Sequence, residues 1–468
     1  MATITSAGVG SGLNLEDIIS STLQAEYQPK AEKLSKTESS LKVQLTGLGA
    51  IKSEMAKLQE VMKELSKPAT FENRTASVRQ PDNSTSLGDL VSVTSSTTAT
   101  PGSFRVEVEQ LAKGSRAVSG AGSTFTSASD VVTASGGKLT FEAGDKSFSI
   151  DVAAGATLED IRQQVNKSKS NFGISVNIIN TGTESQLVVT SNITGAGNDL
   201  KITSDTAEMD KISTEAFGGG AGGLGIAVAD QAKDGIIKVD GLAITSSSNT
   251  FKDAVQGLTI KALRESEADE TAKATIDYDK TGVASKIDSF ITAYNNVIET
   301  INQQSLTVSS PMYGDATVRA MKDQMINAFS TIVKGEGDYE SLLDIGIGLN
   351  SSNKLEKKNT VRSIGTALDE QFADVGALFT AKGGVAESFT KMLSGYVDGG
   401  GVIKNRQDDI NSELRDLEDD KENLDYRMTI MEANLRKKYS ALDTLIAKMN
   451  STNNYLTSQL ASLANIKS

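Results

Sequence analysis

Apolar residues recur at helical spacing at both ends of the chain and at strand spacing in the middle. From Asn14, the residues Leu15, Ile18, Ile19, Leu23 and Tyr27 fall on one face of an amphipathic helix. Pro29 is expected to break or kink it, because proline lacks an N–H and its ring crowds the preceding turn. Beyond it, Leu48, Ile51, Met55, Leu58, Met62 and Leu65 alternate at three and four residues until Pro68, a coiled-coil stripe.

The other end mirrors this pattern from about Ile403. Ile410, Leu414, Leu417, Leu424, Met428, Met431, Leu435, Leu442, Leu445, Met449, Leu456, Leu463 and Ile466 form a long seam, with Lys421, Lys438, Thr452 and Gln459 as lapses. As one helix the segment spans roughly 90 Å at about 1.5 Å per residue, so it needs a partner along its length. The N-terminal helical region is the economical partner, which puts both chain ends in one bundle and makes the middle an insertion. The seams suit the core of one antiparallel bundle and contacts between molecules equally well.

Between about Thr75 and Lys280 the texture becomes Ser, Thr and Gly with short alternating runs, the mark of half-buried strands. Phe104, Val106 and Val108 alternate with Arg105, Glu107 and Glu109; Phe148, Ile150 and Val152, and Ile174, Val176 and Ile178, form further inward sets. Asp240-Gly241 between two apolar runs predicts a hairpin turn. Thr157 to Ile161 and Thr250 to Ala254 share a helix-capping pattern, which suggests two related modules, and the glycine run 218–223 marks a hinge between them. After Thr281 helices return, with Ile287, Phe290, Ile291, Tyr294, Val297, Ile298 and Ile301 on one face, expected to pack beside the terminal bundle.

The 468 residues suffice for about three domains. An apolar fraction of 38%, 5% aromatic with no Trp, favours elongated or helical parts with narrow seams over one thick core. A net charge of −13 argues against nucleic acid. With no Cys and no His, disulfides, thiolate chemistry, the usual general base and the usual transition-metal ligands are excluded. Met1 to Gly12 lacks the basic start and apolar run of a Sec signal, and no apolar stretch is long enough to span a membrane. That fits a cytoplasmic protein, or one exported unfolded through a dedicated channel.

The remaining candidate motifs favour plain readings. Asp277 to Gly282, with Asp288 twelfth, imitates a calcium loop but has Thr at the fifth place and Asp where a bidentate Glu is needed, so a strand-to-helix turn is expected. The glycine runs near Gly10 and Gly220 lack the strand-to-helix setting and the lysine of a phosphate site. Asp408-Asp409 and Asp419-Asp420 lie on the outer face of a heptad helix, where charge serves solubility. No catalytic, cofactor-binding or metal-binding residue is expected, and no cofactor.

Several motifs together resemble the flagellar filament cap, or hook-associated protein 2, family. They are Gly8-Val9-Gly10-Ser11-Gly12-Leu13-Asn14, Ser248 to Phe251 leading to Gly257-Leu258-Thr259, and Tyr294-Asn295-Asn296-Val297-Ile298. Gly314 to Arg319, Leu343 to Ile347, and Ser451 to Leu456 extend the match over essentially the whole chain. Met312-Tyr313 departs from the two leucines common there, and residues around Thr157 to Ile202 resemble the small β module of flagellins.

The expected fold is α+β and multidomain, with terminal helical or coiled-coil legs, a helical bundle domain and two inserted β-rich domains. The divisions are 1–40 with 425–468 for the leg, 41–75 with 281–424 for the bundle, 76–102 with 218–280 for the inner β-rich domain, and 103–217 for the outer one with its flagellin-type module. The resemblance implies a secreted, extracellular, homo-oligomeric ring at the distal tip of the flagellum, expected as a pentamer. It would retain exported flagellin and promote its folding and polymerisation. The implied partners are flagellin, a hook-filament junction protein and a cytoplasmic export chaperone, with flagellar type III export and with neither nucleic acid nor membrane. Candidate partner-binding residues on the helical seams are Leu15, Ile18, Ile19, Leu23, Leu435, Leu442, Leu445, Met449, Leu456 and Leu463. The alternatives are a surface adhesin for mucin or glycans, and a flagellin or junction-type structural protein.

Overall fold

The computed structural model describes residues 12, 14–82, 84–358 and 362–465, with the side chains of all but 85, 86 and 462–465. The fold is α+β and multidomain. Two compact units make up the chain, Met1–Thr70 with Thr281–Ser468, which is mainly helical, and Phe71–Lys280, which is built from antiparallel sheets.

Helix α1 (Leu15–Leu65) opens the first unit. The side-chain oxygen of its cap, Asn14, accepts the Asp17 N–H, and Glu16 and Asp17 occupy the first turn, where the helix dipole favours acids. Of the break or kink expected at Pro29, the break does not occur: the helix runs through it. Residues 24–30 are all exposed, so water can take the carbonyl that proline leaves without a partner. The predicted seam from Leu48 to Leu65 is buried in full.

After short α2 (Ala69–Glu72), the sheet unit follows the chain through β1 (Arg74–Arg79), α3 (Ser84–Leu87), β2 (Val91–Ser95) and β3 (Gly102–Gln110). An outer module then takes β4 (Gly114–Ser119), β5 (Gly137–Ala143), β6 (Lys146–Val152), α4 (Leu158–Lys167), β7 (Ile174–Asn180), β8 (Ser185–Thr194), β9 (Lys201–Ser204) and β10 (Leu224–Gly225). The chain returns through β11 (Gly235–Val239), β12 (Leu242–Ser246), β13 (Thr250–Val255), β14 (Leu258–Ala262) and β15 (Ala272–Tyr278).

The inner module has a five-stranded sheet, β1-β15-β3-β11-β12, and a three-stranded sheet, β13-β14-β2. They enclose a core that includes Val106, Val108, Ile237, Phe251 and Ile260. Alternation on β3 does what its pattern predicts: the valines are buried, while Glu107 and Glu109 face Lys238 of β11. The Asp240-Gly241 turn forms as expected, with Val239 paired to Leu242 and both turn residues at positive φ, 48° and 87°. The outer module sets β10-β4-β8-β7 and β6-β5-β9 around a separate core with α4. Thr157 caps α4 in the predicted capping box with Asp160.

Two local expectations fail in this unit. Thr250 to Ala254 is strand β13 rather than a capped helix, because Phe251 is buried opposite Ile260 and the chain bulges at Asp253, whose φ is 52°. The run 218–223 is not a hinge between modules. Gly218, Gly219 and Gly220 take positive φ in a turn, Gly222 and Gly223 press against the backbone of Ser213 and Lys211, and Leu224 enters the outer core. The crossing lies at residues 110–114 and 231–235, where Lys113 and Lys233 exchange backbone hydrogen bonds at 3.1 and 3.0 Å. Asn249 completes it, accepting from the Ala112 N–H and donating to the Ala112 carbonyl.

The helical unit resumes with α5 (Lys280–Ser305), directly after β15, so the calcium-loop look-alike is a strand-to-helix junction. Next come α6 (Ala316–Phe329), the hairpin β16 (Ile347–Leu349) and β17 (Leu355–Lys357), α7 (Ile364–Glu370), α8 (Phe372–Thr380), α9 (Val385–Val397) and the long α10 (Val402–Asn465). The Tyr294-Asn295 motif has a structural purpose. Tyr294 joins Phe290, Phe379 and Phe389 in a buried edge-to-face aromatic cluster, while the Asn295 amide donates to the Leu355 carbonyl and accepts the Leu355 N–H. Asp315 likewise caps α6, accepting from Thr317 and Val318. The α1 seam packs on α9, and Gln59 donates to the Ser394 hydroxyl at 2.9 Å.

Because Phe290 touches three other rings and is fully buried, Phe290→Ala should destabilise the helical unit by about 3–5 kcal/mol. Val308→Ala, at an exposed position, should cost less than about 0.5 kcal/mol. Urea unfolding followed by helical circular dichroism measures both.

Candidate functional site

The terminal helices pair antiparallel. Glu16 of α1 meets Arg436 of α10 and Glu38 meets Lys421, so the order along one helix reverses along the other. The Arg436 guanidinium grips both oxygens of Glu16 and also donates to Glu432 at 2.9 Å. This double partnership raises the Arg436 pKa, and the same hydrogen bond lowers that of Glu16. The neighbouring Asp425 carboxylate of α10 pushes the Tyr27 phenol upward. Lys42 first, and Lys421 across the helix pair second, hold Glu38 down at about 2. Exposed ion pairs of this kind contribute little strength, so their main effect is to fix the register. Lys421, a lapse in the heptad seam, is one of the residues that does so.

Burial along α10 falls steadily toward the C-terminus. Ile403, Ile410, Leu417 and Leu424 are buried, and Met428, Met431 and Leu435 are half-buried. Leu442 is 41% exposed, Met449 63% and Leu460 66%. The change coincides with the start of α1, since Arg436 lies opposite the first helical turn. The 29 residues of α10 from 437 to 465 therefore extend roughly 43 Å beyond that point at about 1.5 Å per residue.

The ten candidate residues separate accordingly. Leu15 and Ile19 are buried, with α1 packed along α10, while Ile18 and Leu23 are partly exposed. Leu435 is half-buried; Leu442, Leu445, Met449 and Leu456 are exposed; the side chain of Leu463, and Ile466 altogether, lie outside the described residues. Periodicity alone missed the cross-helix pairs Glu16–Arg436 and Glu38–Lys421, since it carries no information about which turns of two helices face each other. Among the described residues no group of three or more acidic side chains is placed to hold a metal ion, and no helix is long and apolar enough to cross a membrane.

Residues 11–115 match the family model described as flagellar hook-associated protein 2 N-terminus, and residues 232–451 match its C-terminus. Flagellar hook-associated protein 2 of Aeromonas caviae is 33% identical over 465 residues, covering 96% of this chain and 97% of that protein. The chain belongs to the flagellar hook-associated protein 2 family. The family member of Escherichia coli is 30% identical, with both chains covered in full. The crystal structure of the D1-D2-D3 domains of the flagellar cap protein FliD from Escherichia coli shares 27% identity and a TM-score of 0.59, covering 78% of this chain and 99% of that one. Residues 138–192, inside the outer module, match the flagellin hook IN motif. The two terminal family matches stop at 115 and resume at 232, beside the crossing at Lys113 and Lys233.

The depressed carboxyl of Glu38 gives the helix pairing a pH dependence. Its folded pKa lies at about 2 against 4.5 when free, so its stabilisation is complete above about 4.5 and is lost as the pH falls toward 2. Amide exchange at residues 30–42 should stay slow from neutral pH to about 4.5 and quicken below it, after correction for intrinsic rates. Raising salt at pH 7 should weaken the same protection.

Proposed function

We propose that this chain is a flagellar filament cap: a structural assembly factor that holds exported flagellin at the distal tip and promotes its folding and polymerisation. One observation carries the reading. A member of this family presents a helix whose Leu and Met seam is covered over its first half and exposed beyond α1, at Leu442, Leu445, Met449 and Leu456. Each such side chain offers about 1.5–3 kcal/mol on full burial, which a partner helix gains by continuing the packing that α1 begins. Part of that gain is offset by the lost freedom of association.

Family membership makes the chain a structural protein rather than an enzyme. In the proposed arrangement it acts as a homo-oligomer, the terminal parts of α1 and α10 serve as a leg, the remaining helices form a bundle, and the inner and outer sheet modules form the inserted domains. A hook-filament junction protein and an export chaperone are further users of the α10 seam. A chain without Cys suits passage unfolded through the flagellar type III apparatus to the outside of the cell. No observation on the sheet modules favours the adhesin reading.

Purified protein added to a cap-deficient strain should restore filament growth at the tip; incorporation along the shaft would contradict the assignment. Leu442→Asp or Leu456→Asp should weaken binding to flagellin by about tenfold or more, the equivalent of losing about 1.4 kcal/mol. Both variants should leave the sheet unit folded. Unchanged affinity together with unchanged swarming would count against the role given to this seam.

A further inference from the structure

A groove of about 900 Å³ lies where α10 passes Glu26 and Lys30 of α1. Its floor is apolar, with Met428, Ile430, Met431 and Leu435 among the lining residues, and Ile430 is 45% exposed. Its rim is cationic. Arg427, Lys437 and Lys438 all line it and make no ion pair with a described residue, whereas Lys30 and Glu26 neutralise each other. The local potential is therefore positive although the whole chain carries −13. Lys438, a lapse in the seam, is part of this rim.

The lining residues run from Arg427 to Ala441, about 21 Å of helix at about 1.5 Å per residue, which is about four turns. That length suits a helix laid into the groove, its apolar stripe on the floor and its flanks against the rim. We propose that this groove docks an acidic amphipathic helix of another protein, one with carboxylates on both sides of its apolar stripe. Free anions would leave the floor uncovered, and a basic amphipathic helix would be repelled. A second copy of this chain does not supply the ligand from its acidic stretch 408–425, because Ile410, Leu417 and Leu424 there are already buried. Residues 1–11 of the chain hold no Asp or Glu and so lack the flanking charge. The inference rests on the terminal helices being the assembly surface but uses residues other than Leu442 and Leu456, so the two readings fail separately.

The test is fluorescence anisotropy on the full chain with a labelled helical peptide of about 18 residues, bearing a leucine stripe flanked by Glu, and a twin with Lys at the flanking positions. The Glu peptide should bind about tenfold or more tightly than its twin, and the difference should shrink as salt rises. Ile430→Glu and the double change Lys437→Glu with Lys438→Glu, both at exposed positions, should each weaken the Glu peptide by about tenfold. Equal binding of the two peptides, or wild-type affinity in both variants, overturns the proposal. So does sedimentation showing self-association that Ile430→Glu abolishes, which gives the groove to a second copy, or peptide binding that occurs only after residues 2–11 are removed, which gives it to the chain's own start.

Discussion

The antiparallel pairing of α1 with α10, and the mismatch in their lengths, is the constraint on which the rest depends. The register fixed by Glu16–Arg436 and Glu38–Lys421 sets where α1 ceases to cover its partner. Coverage is a matter of geometry: two helices bury a shared stripe only where both are present, so a 64-residue helix paired antiparallel from a fixed root must leave part of its seam without this partner. At the root, Ile403 and Ile410 are fully buried and the α1 seam packs on α9, which anchors the pair. The free end inherits a direction and a defined apolar face from that anchor.

The sheet unit follows a different logic. Its two cores are joined by two chain crossings braced with backbone bonds between Lys113 and Lys233 and with the Asn249 amide, rather than by a continuous apolar interior. The outer module is thus a separately packed insertion, and the family matches at the two ends of the chain stop and restart beside these crossings. An insertion with its own core can vary in sequence without disturbing the inner module, because few side chains are shared.

Much of this was legible in the sequence. The seam Leu48 to Leu65, the α5 face around Phe290 and Tyr294, the alternation on β3 and the Asp240-Gly241 turn form as their periods and turn residues dictate. The failures share a cause: local signals were overridden by surroundings that a sequence does not display. Pro29 is tolerated because its turn is solvent-exposed. The cap-like Thr250 to Ala254 is captured by the pairing of Phe251 with Ile260, and the flexible-looking run 218–223 is held by backbone contacts to Ser213 and Lys211. For the candidate site, periodicity identified the apolar positions but not their division into covered and exposed sets. That division depends on helix register, which resides in ion pairs between residues hundreds of positions apart.

The central claim is that α10 beyond Arg436 remains helical while its seam stays open to a partner helix. Hydrogen–deuterium exchange of residues 437–460 in the full chain, alone and with purified flagellin, tests it most directly. The account predicts partial protection in the chain alone and marked further protection with flagellin, centred on Leu442 to Leu456. Exchange that is already slow in the chain alone, or unchanged by flagellin, would contradict it.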